Sequence, residues 1–114
     1  MNVGQLIEEI EHYLNNNDGV YYNNMYVSDE DTMDGFTIDS VYYRCGEVVL
    51  QSNETDTGDW SLILPYILHC LRFFNRNLEV CVQYSDVDLD WMYYSTDYTY
   101  VDDDGDFHIW CYER

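Results

Sequence analysis

Lysine is missing from this 114-residue chain, and only Arg44, Arg72, Arg76 and Arg114 stand against 23 aspartates and glutamates. A formal charge of -19 leaves few salt bridges to be made, and it repels both nucleic acid and anionic membranes. Cations and basic protein surfaces remain as the natural partners. Like-charge repulsion also disfavours the compact state, so stability is expected to rise with added salt or mild acidification.

Other absences narrow the class further. The chain opens Met1-Asn2-Val3-Gly4-Gln5 without a basic segment followed by an apolar one, so export is not expected and the cytoplasm is the expected location. No apolar run reaches the roughly 20 residues that span a bilayer; even Leu62 to Phe74 is broken by Pro65, His69 and Arg72. Cys45, Cys70, Cys81 and Cys111 lack paired short spacing, which points to reduced thiols, with Cys70 and Cys111 in the core, and away from a zinc framework. His12, His69 and His108 belong to no catalytic motif, and there is no P-loop, dinucleotide fingerprint or basic patch. Carboxylates abound, but glycoside hydrolysis needs a deep sugar cleft of which this even spread of acid gives no sign. A non-catalytic protein without cofactor or metal is expected.

Apolar residues are nonetheless plentiful. At 46% hydrophobic and 18% aromatic, the chain falls outside the highly charged disordered class. A single domain, residues 1–114, is expected to bury roughly 65% of its unfolded surface. Val3, Leu6, Ile7, Ile10, Tyr13 and Leu14 follow helical spacing, with Asn2 and Gln5 as a capping box. Strands follow at Val20 to Val27, Phe36 to Arg44 and Glu47 to Ser52. Period-two alternation sets Phe36, Ile38 and Tyr42 on one face of the second, and Val48 and Leu50 on one face of the third. Residues 53–59 have the composition of a linker.

Beyond it the pattern returns. Trp60 to Ile63 reads as a short strand or an extended lead-in, and Leu64, Ile67, Leu68, Leu71 and Phe74 repeat the helical spacing up to about residue 75, with Pro65 tolerated in the first turn. Glu79 to Tyr84 reads as a strand, and a last hairpin runs from Asp97 to Tyr112 around Asp104-Gly105, a pair that favours a tight primed turn. The fold class expected is α+β: two degenerate αβββ units, about 1–53 and 60–114, with two helices packed on a largely antiparallel sheet. On the last strand Phe107, Ile109 and Cys111 share one side and His108, Trp110 and Tyr112 the other, giving an aromatic second face.

Acid gathers in three places: Asp29, Glu30, Asp31 and Asp34; Asp86, Asp88 and Asp90; and Asp102, Asp103, Asp104 and Asp106. A calcium loop of EF-hand type fails at the last of these, since the register set by Gly105 leaves Tyr100 at the first position and no glutamate at the twelfth. Carboxylates at regular spacing can instead imitate successive phosphates and occupy a groove that presents basic residues to a polyanion. A merely solubilising surface is the plain alternative.

The opening Val3-Gly4-Gln5-Leu6-Ile7-Glu8-Glu9-Ile10, with the later Ile38-Asp39-Ser40-Val41-Tyr42-Tyr43-Arg44, resembles small bacteriophage proteins of helix-plus-meander type. In charge and size the chain is similar to acidic phage inhibitors that mimic DNA, among them anti-CRISPR and anti-restriction proteins. Those inhibitors share no fold or motif, so that similarity is one of composition and assigns no residue a role. It implies an inhibitor that binds the basic nucleic-acid channel of a host defence nuclease in the host cytoplasm, most plausibly a CRISPR effector. The three acidic groups would serve as phosphate surrogates. The rival expectation is an interaction module that uses the face of Trp110 and Tyr112 to form a homodimer or to engage another protein.

Overall fold

The computed structural model describes residues 1–29, 36–53, 61–85 and 92–114. Helix α1 (Val3–Asn16) begins at the expected capping box, the Asn2 side chain accepting from the Gln5 amide and the Gln5 side chain from the Asn2 amide, both at 2.8 Å. Helix α2 (Leu64–Leu71) carries Pro65 in its first turn and ends at Arg72, earlier than the apolar spacing suggests. The strands are β1 (Met25–Ser28), β2 (Phe36–Arg44), β3 (Glu47–Asn53), β4 (Glu79–Ser85), β5 (Met92–Val101) and β6 (Phe107–Glu113). Of the expected strand from Val20, only its last part forms. Ile63 is extended and makes a single bridge to Asn24.

The sheet corrects the expected fold class. Six strands close into a barrel in the order β1-β2-β3-β4-β5-β6, and strand (48%) outweighs helix (24%), in place of two αβββ units laying two helices on an open sheet. Closure depends on two parallel pairings, β1 with β6 and β3 with β4; the other four are antiparallel. Parallel neighbours require a crossover, which α2 supplies between β3 and β4. Each run of three strands was expected to stand as its own meander, whereas its outer strands pair with strands distant in sequence.

The helices are not a separate layer. Leu6, Ile7 and Ile10 of α1 and Leu64, Ile67 and Leu71 of α2 join Met25, Val27, Ile38, Leu50, Phe107 and Ile109 in one buried cluster. Truncating Leu6 or Ile10 to alanine would cost about 2–5 kcal/mol, the transfer loss plus the cavity left behind. A bulge between Ile38 and Ser40 shifts the alternation of β2, so that Val41 packs on the core and Tyr42, opposite Val49, faces outward with its hydroxyl donating to Gln83. That overturns the shared face expected for Ile38 and Tyr42. All four cysteines are free; Cys111 is buried as expected, while Cys70 is only half-buried. No helix among the described residues is long and apolar enough to cross a membrane. The expected linker lies almost wholly outside the described residues, as do Glu30, Asp31, Asp34, Asp86, Asp88 and Asp90.

Candidate functional site

The β5–β6 turn is not the two-residue primed turn that Asp104-Gly105 suggests. Asp103, Asp104 and Gly105 form a three-residue loop: the Asp102 amide donates to the Asp106 carbonyl and the Gly105 amide to the Asp102 carbonyl, each at 3.0 Å, with Gly105 at φ 85°. Four carboxylates in this space repel one another, and the turn resolves the conflict by using one of them as scaffold. Asp102 Oδ1 accepts the amides of Asp104 (2.9 Å) and Asp106 (3.0 Å), and Oδ2 accepts His108 Nε2 at 2.6 Å. These bonds, the Asp106 amide first and His108 next, hold the Asp102 carboxyl below its ordinary value. From the core side, the Tyr13 hydroxyl of α1 donates to the Gly105 carbonyl. Asp103 and Asp104 are left exposed and Asp106 half-buried.

Asp102, Asp104 and Asp106 bring carboxylate oxygens within 4.8 Å of one another, a spacing chemically able to hold a cation. Asp102 has little to offer one, because both of its oxygens are already engaged.

His108 links the tip to the outer wall of the barrel. With Nε2 donating to Asp102, Nδ1 accepts the Ser28 hydroxyl at 2.7 Å, and Ser28 Oγ in turn accepts from the Tyr100 hydroxyl at 3.1 Å. Serine, histidine and aspartate in series invite comparison with a nucleophilic triad, but Ser28 has no exposed surface, so its hydroxyl cannot reach a substrate in this conformation. The chain of bonds instead fixes the imidazole ring. Tyr100 stacks on one side of it (centroids 4.7 Å, 10° between planes) and Tyr26 on the other (5.4 Å, 29°). Burial, then the negative charges of Asp106 and Asp102, push the Tyr26 phenol up.

Two residues farther along β6, Trp110 stacks on Tyr98 of β5 at 5.9 Å and 15°. Tyr98 also lines a cleft of about 410 Å³ whose walls include Glu8 and Glu9 of α1 and Asp97. The outer face of β1, β6 and β5 is thus a plane of ordered rings with carboxylates at both ends.

Of the residues singled out from sequence, Asp102, Asp103, Asp104, Asp106 and Trp110 come together here. Tyr112 lies farther along β6, half exposed opposite Ser95, with no ring partner among the described residues. Asp29 follows Ser28 at the end of β1, where its charge adds to the burial that raises the Cys111 thiol to about 12. Sequence reasoning missed Ser28, Tyr26, Tyr98 and Tyr100, and saw His108 only as an outward strand residue. The two histidine bonds bridge 80 residues to Ser28 and 6 to Asp102, so only the second left a local signal.

The barrel wall holds one contrasting hollow, of about 200 Å³, at the β2–β3 turn. Arg114 forks onto Glu47, and the Arg44 guanidinium lies 4.9 Å from the Tyr93 ring centroid. Val49 and Cys81 form its lining, the thiol raised to about 11 by burial and then by Glu47. Set against known protein families, curated proteins and solved structures, the chain finds no match in any of the three.

Proposed function

We propose that the chain is a non-catalytic acidic inhibitor that imitates nucleic-acid phosphates and blocks the nucleic-acid channel of a host defence nuclease, with a CRISPR effector as the first candidate. The observation carrying this reading is the acidic tip, where Asp102 is spent on geometry so that Asp103, Asp104 and Asp106 stand preorganised as a charged edge. A total charge of -19 supplies long-range attraction to a basic channel. The test is capture from host lysate at low and high salt, followed by DNA competition on the captured protein. Displacement of DNA, weakened by salt and by replacing Asp103, Asp104 and Asp106 with asparagine, is the expected result. Capture of no DNA-displaceable basic protein at low salt overturns the reading.

A second reading is an interaction or self-associating module that uses the rings, and the ordered Tyr98–Trp110 stack favours it. Its association would tolerate high salt and fall with changes at Trp110 or Tyr112 while ignoring the aspartates.

A further inference from the structure

Resting on the reading of an acidic mimic that engages a basic protein, we infer that the outer face of β1, β6 and β5 is an arginine-reading surface. Its occupant is an arginine-bearing segment of a protein partner, and lysine is discriminated against. Charge complementarity argues for a cationic occupant: the tip presents Asp103 and Asp104 at one end of the face, and the cleft beside Tyr98 presents Glu8, Glu9 and Asp97 at the other. Glu8 is only loosely held by Arg76 at 3.9 Å, and Glu9 accepts a single hydroxyl bond from Thr99.

Between these ends the surface consists of ring planes. Tyr98 is 46% exposed, so part of the stacked pair stays open to a ligand. A guanidinium is planar, weakly hydrated and forked, so it lies on a ring while its edge bonds a carboxylate in two places; an ammonium answers only the charge. From Tyr98 to Asp102 is four residues of strand, about 13 Å. An extended segment with arginines four residues apart spans the same distance and satisfies both ends at once.

The test compares fluorescently labelled hexa-arginine and hexa-lysine peptides, equal in length and charge, against the intact protein at physiological salt by anisotropy. Hexa-arginine is expected to bind about tenfold more tightly. Tyr98→Leu, at an exposed position, and Trp110→Leu as a second variant keep apolar area while removing the π face. Both are expected to bring the ratio close to one without changing hexa-lysine affinity. Equal affinities in the unaltered protein, or a ratio that survives both leucine variants, overturn the arginine reading and leave phosphate mimicry standing. Binding of neither peptide at low salt overturns both. Self-association of the peptide-free protein in sedimentation, lost in Tyr98→Leu, assigns the face to a second copy and overturns the inference.

Discussion

The turns at Cys45-Gly46 and at Asp103 to Gly105 both reverse the chain between antiparallel strands, yet they solve the problem by opposite means. At the first, backbone conformation suffices: Cys45 (φ 51°) and Gly46 (φ 83°) both take the left-handed region, as a primed two-residue turn requires, and the charges beside it are mixed. Glu47 meets Arg114, and Arg44 rests on Tyr93. At the second, every nearby formal charge has one sign and no arginine intervenes, so shape comes from side-chain hydrogen bonds converging on one carboxylate. A turn crowded with like charges need not be loose. It can be the more heavily bonded of two, provided one acid gives up its place in solvent.

Removing that acid is the largest test of the contrast. Asp102→Ala strips three donors of their acceptor at once, so the melting temperature should drop and the Asp104 and Asp106 amides should exchange faster, with the β2–β3 hairpin unmoved. Continued protection of those amides would erase the distinction. The linkage with pH follows from the depressed folded-state pKa of Asp102. Its stabilisation is complete above the unfolded carboxylate value and is lost as pH falls through the folded one. Across the rest of the surface, mild acid relieves repulsion among the 23 carboxylates. Denaturation curves should therefore show stability rising as pH falls from 7 and declining below about 4, where the gap between the native chain and Asp102→Asn narrows.

Glycine substitutions should fall equally on both turns. Gly46→Ala and Gly105→Ala each force a Cβ into a left-handed conformation, at about 1–2 kcal/mol by urea midpoint, although neither Cβ would meet another atom. A large inequality would mean that one turn shifts to another type. Tyr13→Phe should cost about 1 kcal/mol and touch only the acidic tip, by freeing the Gly105 carbonyl. Smallest of all, Cys45→Asn should stabilise the first turn by roughly 0.5 kcal/mol, since asparagine tolerates the left-handed region better than cysteine.

Local signals in the sequence carried the elements well and the closure poorly. The Asn2–Gln5 box, Pro65 and the exact span of β2 were legible because each depends on neighbours a few residues away. The barrel was not, because the β1–β6 and β3–β4 pairings join distant segments and leave no periodicity behind. Tyr42 was misassigned because a single residue at the β2 bulge, Asp39, inverts the alternation after it. Within the site, the acids and Trp110 were legible from composition and strand phase. The division of labour between Asp102 and its neighbours was not, nor were the rings of Tyr26, Tyr98 and Tyr100, which are defined by partners on adjacent strands.

The two parallel pairings have a further consequence for a chain with 13 tyrosines. An open sheet ends in rows of unpaired amides and carbonyls, and aromatic-rich strands at such borders template the addition of more strands, from domain swaps to fibrils. Here β1, β3, β4 and β6 would have been those borders, and each finds its neighbour within the same chain. Backbone-mediated recruitment is thereby closed off. Whatever this surface holds, it must hold through side chains, where a change of one ring or one carboxylate retunes the choice of partner without exposing the sheet.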